Sequence, residues 1–176
     1  TDPFPTEIII KENDLQFYVN IETGQKTGYF LDQQDNRRAI KEIVKGTDVL
    51  GAFTYTGTFE IHAAHYGAKS VLGIDISEGM MQYGRVKIQD KGLGDKIQLS
   101  LGDSTAIPFE ASTFDGAMVA FGVRNFANLE KGLQEIHRVL TPGSKLVILE
   151  FSQPSSFWFK PIYTFYMKWV TPSIGK

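Results

Sequence analysis

Hydrophobic and polar positions change their period several times along this chain, and each change marks an element. Glu7–Ile10 is a short β-branched run, and Leu15–Val19 alternates Leu, Phe and Val with polar neighbours, so both read as strands. Thr23-Gly24 marks a turn, after which Thr27–Leu31 is expected to return as another strand. From Gln34 to Val44 the period becomes helical, with Ile40, Ile43 and Val44 as the apolar stripe and Asp32 or Asp35 as the cap. Beyond that the two periods alternate. Strands are predicted at Thr47–Leu50, Ser70–Ile74, Lys96–Leu101, Phe114–Phe121 and Lys145–Phe151. Helices are predicted at Thr56–His65, Ser77–Lys91 and Leu129–Leu140; Ser77 caps the second, and Thr141-Pro142-Gly143 stops the third. Phe157–Val170 reads as a final, aromatic-rich helical segment. Strands alternating with helices mean βαβ units, so the expected architecture is an α/β, doubly wound, mostly parallel sheet over residues 34–176, preceded by a small β-hairpin element over 1–33. In such sheets ligands bind beyond the carboxyl ends of the strands, where the strand order reverses.

Composition narrows the function classes. The 176 residues carry a net charge of −2, 42% hydrophobic residues and no cysteine. That fits one globular domain and excludes a disulfide scaffold, a cysteine zinc site and a thiolate nucleophile. Residues 1–77 hold seven basic and eleven acidic groups, and residues 78–176 eleven basic and nine acidic, so no basic face is expected to bind nucleic acid. No apolar run is long enough for a membrane span and the first residues do not resemble a signal peptide, so a cytoplasmic setting is expected. His62 and His65 lie three apart on a helix without a third ligand, so packing or surface roles and no metal site are expected.

Three features converge on an adenosine-containing ligand. The first is DVLGAFTYTGTFE, residues 48–60, where a strand runs through a glycine-bearing loop into a helix. Phe53, Tyr55, Thr56 and Gly57 of that loop are the candidate cofactor contacts. The second is Asp75, followed by Ile76, at the end of the next strand and eighteen residues after Gly57; an acid there accepts hydrogen bonds from ribose hydroxyls. The third is Gly102-Asp103-Ser104 after the following strand, where Asp103 can accept from an adenine amino group and Ser104 lines the turn. S-adenosylmethionine, NAD and a nucleotide all remain candidates. The sequence has no P-loop, which argues against phosphoryl transfer.

Two stretches resemble known families. GIDISEGMM, VAFGVRNFANLEKGLQEIHRVLTPGSKLVILEFSQP and FKPIYTFYMKWVTPSIGK, within residues 73–176, resemble the menaquinone/ubiquinone-biosynthesis C-methyltransferase family. ENDLQFYVNIETGQKTGYFLDQQDNRRAI and DVLGAFTYTGTFEIHAAHYGAKSV, within residues 7–75, resemble the ribosomal-RNA large-subunit cytosine C5-methyltransferase family. Both are class I methyltransferases with a Rossmann-like fold, so the resemblance selects S-adenosylmethionine as cofactor. The two meet at 72–77, and the chain reads as a chimera joined there; a single divergent methyltransferase is the other reading. Against the RNA family, Gly51 stands where an acid is expected near the methionine moiety, Thr58 replaces a glycine, and Gln34 an arginine. The resemblance puts Ala120 and Phe121 beside the cofactor and has Lys26 and Thr27 close over it. It also implies two more strands beyond residue 176, so the sheet is expected to stop two strands short with an open edge.

The missing cysteine decides between the chemistries. Cytosine C5 methylation needs a thiolate that adds to the ring, which this sequence cannot supply. A hydroquinone ring carbon becomes nucleophilic once the neighbouring hydroxyl loses its proton, so orientation and deprotonation suffice. Arg124 and Asn125, after the fourth core strand, are the candidate groups to hold the phenolate and orient the ring. The leading expectation is C-methylation of a quinol. The rivals are a folded chimera without catalysis and an RNA-methyltransferase relic. Residues 155–170 hold seven aromatics and two lysines; they suit either a membrane surface or a core helix, and an apolar patch or the open edge is expected to drive homodimerisation.

Overall fold

The computed structural model describes residues 6–22, 29–152 and 154–174. Strands β1 (Glu7–Glu12) and β2 (Leu15–Asn20) form an antiparallel hairpin. Its two-residue turn is Asn13-Asp14, with φ of 49° and 66°. Both central residues of a type I′ turn need positive φ, and Asn and Asp adopt it at low cost. Phe17 and Val19 of β2 point inward and are buried, while Tyr18 between them is exposed.

Helices α1 (Gln34–Ala39) and α2 (Lys41–Val44) follow, and then the α/β core. It consists of β3 (Asp48–Ala52), α3 (Thr58–His65), β4 (Ser70–Asp75), α4 (Glu78–Asp90), β5 (Ile97–Leu101), β6 (Phe114–Ala120), α5 (Leu129–Val139) and β7 (Leu140–Leu149). The five core strands are all parallel, in the order β5-β4-β3-β6-β7. The order reverses between β3 and β6, so their carboxyl ends open the crevice where a ligand is expected.

The sheet is covered on both faces, which is why its strands read as near-continuous apolar runs. Val49 and Val71 join Ile61 and Ala64 of α3, Met81 and Ile88 of α4, and Phe17 and Val19 of the hairpin. Leu50, Leu72, Ile74 and Val119 face the other way, onto Ile107, Ile136 and Val139. Ser77 caps α4 by accepting from the Met80 N–H at 3.4 Å, as expected. Asn128 caps α5 by accepting from the Lys131 N–H at 3.0 Å.

The expected strand at Thr27–Leu31 is not formed where it is described. Residues 27 and 28 lie outside the described residues, Tyr29-Phe30 is irregular, and Leu31–Gln33 is a 3₁₀ turn. The Phe30 carbonyl is taken by the Gln33 N–H and by Arg37 Nη2, so it does not serve a strand ladder. The helix expected over Gln34–Val44 breaks at Ile40 into α1 and α2. Pro142-Gly143 stops α5 but lies inside β7, where it forms an irregularity against β6 between Phe114 and Gly116. The aromatic segment is helical from α6 (Phe159–Phe165) through a π turn at Tyr166–Val170 to α7 (Thr171–Ile174). It does not behave as a core helix: Phe157, Trp158 and Trp169 are 81%, 82% and 61% exposed. β7 is an edge strand of the five-stranded sheet.

Candidate functional site

The residues at the carboxyl ends of β3, β4, β5 and β6 surround the crevice, and the backbone there is strained. Phe53 and Tyr55 after β3 and Phe121 after β6 have φ of 60°, 54° and 55°. Each left-handed non-glycine residue costs about 1–3 kcal/mol and persists only where its surroundings fix it. Phe53 stacks on Phe126 with ring centroids 5.4 Å apart, and it lies so close to Gly122 that a Cβ there would meet it at 2.5 Å. Gly57, at φ 73°, opens α3 in a conformation that suits glycine.

Asp75 ties two of these ends together. Its carboxylate accepts the Tyr55 N–H through Oδ2 and the Ser77 N–H through Oδ1, both at 2.9 Å. Each carboxylate oxygen keeps a second lone pair for a hydroxyl donor. Ile76 beside it is exposed. Asp103 is exposed, and its carboxyl is held below the usual range by the Thr105 N–H at 2.8 Å. Ser104 is buried. Thr56 accepts from Lys87 Nζ at 2.9 Å, and burial pushes that ammonium down to about 8. Ala120 and Phe121 stand at the end of β6, across the reversal from Phe53. Lys26 and Thr27 lie outside the described residues.

Arg124 and Asn125 occupy a 3₁₀ turn after β6. Asn125 Nδ2 donates weakly to the Phe121 carbonyl at 3.4 Å. Arg124 is ion-paired with Glu150 Oε1 and lies 5.3 Å from the Phe151 ring centroid. The expected cation is therefore already partnered, by a carboxylate that follows β7. Glu150 Oε1 also accepts the Phe151 N–H at 2.9 Å, while Oε2 is buried without a partner among the described residues. The sequence shows Glu150 as an acid after the last core strand, but nothing local marks it as the partner of Arg124.

Two further acids are not marked by local pattern either. Glu60, on the first turn of α3, is buried, and desolvation raises its carboxyl to about 7. Its one signal is its place in the first turn of the helix that follows the loop after β3. Glu12, Arg37 and His62 form a buried polar knot away from the crevice. Arg37 Nε contacts Glu12 Oε1, Nη2 reaches Oε2 at 2.7 Å, and the Phe30 carbonyl takes another bond at 2.7 Å. His62 stacks on Phe17 with centroids 5.6 Å apart and places Nδ1 2.8 Å from the Thr58 carbonyl, which gives it the packing role expected.

Comparison with known proteins gives this arrangement a family. A model of the ubiE/COQ5 methyltransferase family matches residues 29–176. The chain is 42% identical over 149 residues to the demethylmenaquinone methyltransferase of Bacteroides fragilis, covering 83% of this chain and 61% of the relative. It is also 42% identical over 149 residues to the ubiquinone/menaquinone biosynthesis C-methyltransferase UbiE of Geobacter sulfurreducens, covering 82% and 58%. The chain thus spans about six-tenths of the length of these relatives. The crystal structure of an S-adenosylmethionine-dependent methyltransferase from Aquifex aeolicus superposes with a TM-score of 0.63 at 24% identity, over 70% of this chain and 67% of that one. One of a putative methyltransferase from Bacillus halodurans gives 0.64 at 23%, over 76% and 57%. These two fix the fold as that of class I methyltransferases. The family match passes through 72–77 without interruption and takes in residues 29–72, so one family accounts for both sides of the expected join. On that match the chain belongs to the ubiE/COQ5 methyltransferase family.

Proposed function

We propose that this chain binds S-adenosylmethionine at the β3/β6 crevice and serves C-methylation of a quinol of the menaquinone or ubiquinone type. The observation that carries the reading is Asp75, whose carboxylate ends the second core strand beside the strand-order reversal inside the family match. The residues present fit such a ligand. Asp75 offers free lone pairs for ribose hydroxyls, and Asp103 offers an acceptor for an adenine amino group. Phe53, Tyr55 and Phe121 supply apolar walls at the crevice, and Glu60 Oε2 is a buried carboxyl oxygen without a partner among the described residues. The bound cofactor supplies an electrophilic methyl group. The chain's own residues orient the ring and take the hydroxyl proton. The Arg124–Glu150 pair is suited to both roles, since Glu150 Oε2 is an acceptor for the proton and Arg124 offers a cation to the phenolate left behind. Asn125, on the same turn, is the second group assigned to orienting the ring.

Two partner proposals go with this reading. The exposed aromatics of residues 157–169, with Lys160 and Lys168, suit peripheral contact with a lipid surface, read out by vesicle co-sedimentation. Pairing of two chains through the β7 edge or that face is read out by light scattering. The primary test has two arms. Calorimetry with S-adenosylmethionine and S-adenosylhomocysteine tests binding, and transfer of a radiolabelled methyl group to a demethylmenaquinol analogue tests chemistry. Binding with transfer upholds the reading. Absence of heat with both ligands at millimolar concentration overturns it.

A further inference from the structure

Gly51 lies near the end of the sheet's central strand without a side chain, and a carboxyl group from another element fills its place. A Cβ on Gly51 would lie 2.1 Å from Glu60 Oε1. Glu60 Oε1 is 3.0 Å from Thr54 Oγ1, and Thr54 Oγ1 is 3.2 Å from the Gly51 carbonyl oxygen. A threonine hydroxyl carries one proton and can donate to only one of these two oxygens. Both contacts are hydrogen bonds at once only if Glu60 is protonated: it donates to Thr54 Oγ1, which then donates to the Gly51 carbonyl. Were Glu60 ionised, Thr54 would turn its proton to the carboxylate and leave the Gly51 carbonyl unserved. The group is 2% exposed, its Oε2 has no partner among the described residues, and among these the charge that acts on it is Asp75 of β4, another negative group. Thr54 and its own backbone N–H oppose that effect. Burial dominates and raises the carboxyl to about 7.

We infer that Glu60 is a neutral acid in the ligand-free fold and ionises when a cationic ligand enters the β3/β6 crevice, so that cofactor binding releases a proton. The inference rests on the cofactor reading above. S-adenosylmethionine bears two cationic centres, a sulfonium and an α-ammonium. A positive charge brought to the strand ends stabilises the ionised carboxyl, which has been kept out of water on its other sides. Only the carboxyl O–H bond breaks, and its proton goes to the buffer. Thr54 then donates to Glu60, and the Gly51 carbonyl is freed as an acceptor at the strand end. Glu60 acts in this scheme as a positioning residue that adapts the charge of the site to its occupant.

The test is calorimetry in buffers of different ionisation enthalpy, on wild type and Glu60→Gln, with three probes. S-adenosylmethionine carries both cations and an α-carboxylate, S-adenosylhomocysteine keeps the ammonium and the carboxylate without the sulfonium, and 5′-methylthioadenosine carries no charge. At pH 7 the two amino-acid-bearing ligands are expected to release about half a proton more from wild type than from Glu60→Gln. The neutral ligand is expected to release none. The difference between the proteins removes the ligand's own titration. Relative to Glu60→Gln, wild-type affinity for S-adenosylhomocysteine should rise about tenfold between pH 6 and pH 8. Infrared spectra of the ligand-free proteins at pH 6 provide an independent check: wild type should show a carboxylic-acid band that Glu60→Gln lacks. Equal proton release from both proteins, equal release with the neutral ligand, or a missing carboxylic-acid band overturns the inference. If none of the three probes binds either protein, the cofactor reading itself fails and takes the ligand coupling with it.

Discussion

Replacing Glu12 by leucine is expected to cost far more than its position at the tip of a surface hairpin suggests. The side chains of Glu12 and Arg37 are 1% and 3% exposed, and they meet through two contacts. The Tyr29 ring also lies 4.8 Å from the guanidinium, and the Phe30 carbonyl accepts from it. Glu12→Leu leaves that guanidinium buried with one backbone acceptor, a loss of about 3–5 kcal/mol. For a chain of this length the melting temperature should fall by about 6–20 °C. Arg37→Met strands Glu12 instead, but His62 Nε2 stands 3.3 Å from Glu12 Oε1 and can take up a proton. The cost of Arg37→Met should therefore shrink as the pH falls toward 5. The double variant buries no unpaired charge and should be more stable than Glu12→Leu alone. Urea unfolding followed by far-ultraviolet circular dichroism, on both single variants and the double, gives the coupling energy. Single losses under about 1 kcal/mol, or losses that simply add in the double, would refute the buried-pair argument.

Three other outcomes follow from the same geometry. The folded Glu60 carboxyl titrates at about 7 against an ordinary 4.5, so its contribution is fully present below pH 4.5 and is lost as pH rises through 7. Glu60→Gln should therefore gain about 3 kcal/mol relative to wild type between pH 4.5 and 8, measured by urea midpoints. Burial lowers His62 to about 4 from 6.5, so its contribution is present above pH 6.5 and is lost as pH falls through 4; His62→Leu should flatten the acid limb of the stability profile. In Gly73→Ala the new Cβ would meet Leu99 Cδ2 and Thr54 Oγ1 at 2.6 Å each; thermal melts should report a loss of about 1–3 kcal/mol, and calorimetry weaker binding of S-adenosylhomocysteine.

The alternation of periods is enough to locate every core strand, because a sheet buried on both faces demands apolar runs. Asp75 is equally legible, since its place at the end of β4 is set by the strand that carries it. Local pattern fails where distant groups decide. Thr27–Leu31 has strand-like residues, yet the Phe30 carbonyl is claimed by Arg37, seven positions on, which in turn answers to Glu12 across the molecule. Glu60 looks like an ordinary helix acid because nothing in its neighbours announces that Gly51 leaves room for it. Arg124 is found by its position after β6, but its pairing with Glu150 depends on β6 and β7 lying side by side. The apparent join at 72–77 comes from local wording in the first half, whereas the family match is carried by the whole of residues 29–176.

The exposed C-terminal helix has an optical consequence. The chain has two tryptophans, Trp158 and Trp169, and both stand on that segment, 82% and 61% exposed. Neither lies in the sheet or its covering helices. Tryptophan fluorescence therefore watches this segment and is nearly blind to the core. An emission maximum that shifts to the blue would signal contact of the tail with lipid or another chain, while the sheet stays unchanged. Fluorescence and circular dichroism transitions that fail to coincide would, in this protein, mean that the aromatic segment comes loose separately from the sheet, a departure from two-state unfolding located at that segment.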